Sequence, residues 1–258
     1  MGGDGFVPHF FQIRNEVKFM KTKTIVTTVL FSALVAFVAG IATHAAVAET
    51  PKVAQQAQKK AKKRDPGKRL YLRKTCIACH GRNGQHAIID YPNLAGQDAK
   101  YMIAQVKYIL SGKRVGSLDG SGNPRTQGMR GALVTSEGEM RISTDEVKQI
   151  VSWLAKLEPA KVVAPKQPFD PEKIKQGANL FKKKCRVCHG KNGTKPRKGY
   201  PYLAGQKASY LMVQVKDIRD KKRTSGKSKM MTGIVRKLTD EQIAMISNYL
   251  SQVDRTKK

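Results

Sequence analysis

The sequence predicts an all-α chain made of two tandem domains of like fold. Three observations carry this expectation. A long segment recurs at an offset of 109 residues, and a repeat of that size marks two copies of one structural unit. Ser143-Thr-Asp-Glu146 and Thr239-Asp-Glu-Gln242 are capping boxes, each opening a segment with apolar residues at helical spacing. No convincing run alternates with period two, so no strand is expected. A length of 258 residues suits two domains of roughly 100–150 residues each.

Residues 1–48 read as an N-terminal extension and signal peptide. Lys18, Lys21 and Lys23 precede an apolar stretch, Ile25 to Ile41, and Ala46-Val47-Ala48 supplies a small-x-small cleavage pattern. The apolar stretch is at the short limit for a membrane span, and the cleavage pattern follows directly, which favours export over anchoring. Residues 1–19 have no role in such a signal, so Met20 reads as the start. Residues 49–66, with the basic run Lys59 to Arg64, form a solvated lead-in. Domain one is then 67–157 and domain two 172–258. The linker 158–171 between them is stiffened by its prolines.

Each domain repeats the same parts. Gly67-x-x-Leu70-Tyr71 and Gly177-x-x-Leu180-Phe181 lie on a first helix. Cys76-Ile-Ala-Cys79-His80-Gly81 follows in one copy and Cys185-Arg-Val-Cys188-His189-Gly190 in the other. Tyr91 to Ile109 matches Tyr200 to Ile218 at twelve of nineteen positions, including Tyr-Pro-x-Leu-Ala-Gly-Gln, and contributes another helix. Met129-Arg-Gly131 and Met231-Thr-Gly233 are expected in equivalent loops before the last helix, which carries Trp153 or Tyr249. Domain one has a longer Gly-rich loop, 111–128. It also has six more residues between Met129 and Ile142 than domain two has between Met231 and Leu238.

Cys-x-x-Cys-His is the attachment motif for haem c. Two thiols one helical turn apart can bond the two vinyl groups of a porphyrin, and the next histidine is then held under the iron. Zinc also takes Cys-x-x-Cys, but each copy offers only Cys, Cys and His, and the pairs are 109 residues apart. A thioredoxin-like redox pair needs a βαβ setting, which the pattern lacks. The four cysteines, Cys76, Cys79, Cys185 and Cys188, are too few for a disulfide scaffold. Two covalent haems are therefore expected, with His80 and His189 as iron ligands.

After the leader only His80, His86 and His189 remain, so two bis-histidine irons are impossible. Methionine is the natural sixth ligand, since a thioether suits haem iron and raises its potential. Met129 and Met231 share the Met-x-Gly context and are the candidates. Met140 and Met230 are their rivals, and Met102, Met212 and Met245 read as core.

On these residues the chain resembles the dihaem cytochrome c4 family, tandem class I cytochrome c domains of exported bacterial electron carriers. The resemblance runs from Gly67 to the C-terminus. It implies one His/Met-ligated haem per domain, and two domains packed face to face with haem propionates near the interface. It also implies that the carbonyls of Pro92 and Pro201, each twelve residues after its histidine, accept the histidine Nδ1–H. The first helix of each domain should cross the last, against Trp153 and Tyr249.

Such an iron has no open position and moves electrons without binding substrate, so the reading is an electron carrier and not an enzyme. The alternative is the cytochrome subunit of a flavoprotein or other dehydrogenase. The formal charge is +30, of which +28 lies after residue 48. That favours acidic redox partners such as a membrane oxidase or a dehydrogenase, and is also compatible with an anionic membrane surface. Lys182-Lys-Lys184 and Lys221-Lys-Arg223 are candidate contacts. Export and the lack of any binding motif exclude nucleic acid. The expected location is the periplasm.

Overall fold

The computed structural model describes residues 65–256. The leader and nearly all of the basic lead-in expected from the sequence lie outside the described residues. The first domain runs α1 (Pro66–Arg73), α2 (Cys76–His80), α3 (Ala99–Leu110), α4 (Gln127–Leu133) and α5 (Thr144–Ala155). The second repeats the order as α6 (Pro171–Lys184), α7 (Arg186–His189), α8 (Ala208–Arg219), α9 (Ser228–Val235) and α10 (Asp240–Ser251). Among the described residues there is no strand, only the isolated bridges Leu118 to Pro124 and Val134 to Met140.

Local chemistry sets where these helices begin. Asp65 and Asp170 cap α1 and α6 through their carboxylates, each followed by a proline that needs no partner for its missing N–H. Ser143 with Glu146 and Thr239 with Gln242 form the two capping boxes of α5 and α10. The first helix of each domain packs on the last. Tyr71 meets Trp153 at a ring separation of 5.2 Å, and Phe181 meets Tyr249 at 6.1 Å. Tyr71 and Phe181 are fully buried, and sealing such a side chain from water contributes about 1.5–3 kcal/mol.

Met129 and Met231 are not in loops, as the sequence led us to expect, but on α4 and α9. At seven and eight residues these helices are only about two turns long, too short for an apolar period to repeat, so pattern reading passes over them. The six extra residues of domain one make a tight turn, in which the Thr135 N–H donates to the Glu139 carbonyl at 2.8 Å. That turn leaves Met140 exposed. The Gly-rich loop lies against domain two. There the Gly116 N–H donates to the Lys222 carbonyl, and the Ser117 N–H to an Asp217 carboxylate oxygen, both at 3.2 Å.

Candidate functional site

Each Cys-x-x-Cys-His run ends in a turn that folds back over the histidine. Gly81 and Gly190 have φ of 71° and 73°, a left-handed region that favours glycine. A Cβ there would stand 2.2 Å from the His86 carbonyl oxygen, or 2.1 Å from that of Lys195. The Gly84 carbonyl then accepts from Leu94 and Ala95, and the Gly193 carbonyl from Leu203 and Ala204. These bonds bring the intervening prolines back beside the histidines. His80 Nδ1 lies 3.0 Å from the Pro92 carbonyl oxygen, and His189 Nδ1 lies 3.2 Å from that of Pro201. A carbonyl can only accept, so Nδ1 carries the proton and Nε2 presents its lone pair. Burial pushes both imidazoles down, against the smaller upward pull of the proline carbonyls. Both rings are therefore neutral near pH 7, as metal ligation requires.

The four cysteines form no disulfide with one another. Burial pushes the Cys76 thiol up and the Cys185 thiol up to about 11. In domain two, Cys185, Cys188, His189 and Met231 line one cavity of about 250 Å³, walled by apolar residues such as Leu211 and Val215. Met129 and Met231 are half-buried against the two hydrophobic cores. Met140 and Met230 are 52% and 62% exposed. Two thiols one turn apart, an imidazole lone pair and a half-buried thioether on an apolar cavity fit a covalently held haem.

The resemblance implied two domains packed face to face, but sequence reading missed which residues make the contact. Gln97 and Gln206, both buried, each reach across it. The Gln97 amide donates to the Tyr202 carbonyl at 3.0 Å and accepts from the Tyr202 N–H at 2.8 Å. The Gln206 amide makes the same pair with Asn93, at 2.9 and 3.0 Å. Arg114 donates to Gln105 of its own domain and to Tyr210 and Gln214 of the other. Arg223 mirrors it with Gln214, Tyr101 and Gln105. The grouping of Arg223 with Lys221 and Lys222 as a docking contact is thus corrected, because Arg223 is buried in this cluster whereas the two lysines are exposed. The clue was available: Gln97, Tyr101, Gln105 and Arg114 all have identical counterparts at the repeat offset.

Two helical domains, each carrying a Cys-x-x-Cys-His turn under a returning proline loop, define a tandem c-type cytochrome. The family model described as cytochrome c matches residues 64–158 and 174–254. Cytochrome c4 of Azotobacter vinelandii is 31% identical over 68% of this chain and 82% of its own length. A thiosulfate dehydrogenase electron acceptor of Thiomonas intermedia is 27% identical over 69% of this chain and 77% of its own. The crystal structure of reduced recombinant cytochrome c4 from Pseudomonas stutzeri superposes with a TM-score of 0.57. It is 28% identical, and the match covers 72% of this chain and 96% of that one. The chain belongs to the cytochrome c4 family. It is a dihaem electron-transfer protein with two covalently bound haem c groups.

Proposed function

We propose that Cys76, Cys79 and His80 hold one haem and Cys185, Cys188 and His189 the other, with Met129 and Met231 completing the iron coordination. The observation that carries this reading is the pair of Nδ1–H to proline carbonyl bonds, which turns each Nε2 into a lone-pair donor beside its thiols. A haem held by these residues would supply one-electron chemistry at its iron, and a thioether from Met129 or Met231 would favour the ferrous state. The protein's own residues exclude water from the metal, fix the imidazole and set the charge around it. Arg223 lines the cavity of domain two, where a cation suits a haem carboxylate. With both axial positions filled, the protein carries electrons and catalyses no reaction of its own. Chain denatured in acidified acetone is expected to keep its colour, with two haems per chain in a pyridine haemochrome assay. Extractable haem, or one haem per chain, would overturn the assignment.

We further propose export to the periplasm through residues 1–48, with an acidic redox protein as partner. Among the described residues no helix is long and apolar enough to cross a membrane. Residues 172–258 carry +17 against +7 for residues 67–157, so an acidic partner is steered to domain two. Its Lys182, Lys183, Lys184, Lys221 and Lys222 are exposed. Changing Lys221 and Lys222 to Glu is expected to slow association and leave both haem spectra unaltered, since rim charges act on encounter. Stopped-flow oxidation across a salt series checks this, because screening at about 0.15 M acts over roughly 8 Å. A rate that is flat with salt would exclude electrostatic docking. The likeness to thiosulfate dehydrogenase electron acceptors supports a second reading, in which the partner is a single dehydrogenase. Co-purification with one such enzyme distinguishes it.

A further inference from the structure

The repeated Tyr-Pro-x-Leu-Ala-Gly-Gln segment does two things at once. Its proline carbonyl accepts a hydrogen bond from the histidine Nδ1–H in its own domain. Its glutamine reaches into the other domain and grips the residue at the x position by that residue's backbone. Recognition through the backbone explains why x differs, Asn93 in one copy and Tyr202 in the other, while the proline and glutamine are the same in both.

The proline carbonyl and the N–H of the next residue belong to one planar peptide unit. In domain one that unit accepts from His80 Nδ1–H on its oxygen side at 3.0 Å, and donates to Gln206 Oε1 on its nitrogen side at 3.0 Å. In domain two the Pro201–Tyr202 unit accepts from His189 at 3.2 Å and donates to Gln97 at 2.8 Å. A peptide group bonded at its N–H is polarised and becomes a better acceptor at its carbonyl. A stronger acceptor on Nδ1 fixes the ring and raises the basicity of Nε2.

We propose that Gln97 and Gln206 are crossed positioning residues, each setting the orientation and basicity of the axial histidine in the opposite domain. This rests on the assignment of His80 and His189 as iron ligands. Replacing Gln206 with Leu removes both bonds to Asn93. The Pro92 carbonyl then accepts less strongly, His80 becomes a weaker donor, and the ferric state of its iron is less stabilised. The expected result is an upward shift in the potential of the domain-one haem and faster solvent exchange of the His80 Nδ1–H, although the substitution lies in domain two. The domain-two haem keeps its potential. Gln97→Leu gives the converse.

The experiment is spectroelectrochemistry of the dihaem protein combined with NMR. Nuclear Overhauser contacts assign the haems, since Tyr91 neighbours His80 and Tyr200 neighbours His189. Gln97→Leu serves as the matched control, because a mere packing effect would act on the haem of the substituted domain whereas the proposed effect acts on the other. A Gln206→Leu shift confined to the domain-two haem, an equal shift in both haems, or no shift in either would overturn the proposal. Should Gln206→Leu not fold, Gln206→Ala also removes both bonds to Asn93 and is held to the same outcomes: an upward shift of the domain-one haem supports the proposal, and an uncrossed shift overturns it. Failure of the ligand assignment shows separately in the wild-type NMR spectrum, as His80 and His189 ring protons that lack the large ring-current shifts of residues held against a haem.

Discussion

Met231→Ala is expected to abolish the sulfur-to-iron charge-transfer band of the domain-two haem and to lower its potential, leaving the other haem as it was. The residue sits on α9, half-buried against the second core, on the same cavity as His189. Its neighbour Met230 also lines that cavity but is 62% exposed. A thioether favours ferrous iron, so its loss shifts the couple downward. Axial ligands set haem potentials over a range of roughly 0.8 V, and a fall on the order of 0.1 V is expected. Met230→Ala should change neither quantity. Reversed results would make Met230 the ligand, and a band indifferent to both changes would remove methionine from that iron.

Gly177→Ala should lower stability sharply by forcing apart two packed helices of domain two. A Cβ at Gly177 would stand 2.2 Å from the carbonyl oxygen of Met245 and 3.1 Å from the backbone nitrogen of Ile246. Both atoms belong to α10, so no flexible side chain can swing aside. The two helices must separate, at a cost of about 3 kcal/mol. In a protein this size that corresponds to a fall in Tm of roughly 6–12 °C. Gly233→Ala is the matched control, since nothing lies within 4 Å of its added methyl. It should be neutral or stabilise by about 0.4–1 kcal/mol through the unfolded chain. Thermal melts of the two variants decide. Equal melting temperatures would mean that the α6–α10 crossing is looser than the geometry shows.

The parts legible in the sequence are those encoded by short-range chemistry. Capping boxes announced α5 and α10, the repeat announced two domains, and the Cys-x-x-Cys-His runs announced the cofactor. The bonds from His80 to Pro92 and from His189 to Pro201 were implied only through the family resemblance, because twelve residues of irregular loop carry no periodicity. What escaped notice depends on a surface formed by both domains. Nothing in Lys221-Lys-Arg223 says that its last member turns inward while the first two face water. That difference is created by Tyr101 and Gln105, more than a hundred positions away. The helical setting of Met129 and Met231 was missed for a simpler reason, the shortness of α4 and α9.

The reciprocity of the interface places this chain between two kinds of assembly. Gln97 with Tyr202 and Gln206 with Asn93, or Arg114 with Tyr210 and Arg223 with Tyr101, are paired as residues are paired across the two-fold axis of a homodimer. In a homodimer every substitution at such a surface is made twice, and both copies of a contact are lost together. Here the linker joins the two halves into one molecule, which holds them at high effective concentration and lets each copy be altered alone. One half carries an additional Gly-rich loop and the other more than twice the positive charge, while the contacts that must match across the axis still match. Covalent fusion therefore permits what symmetry forbids: two like centres presented to unlike surroundings.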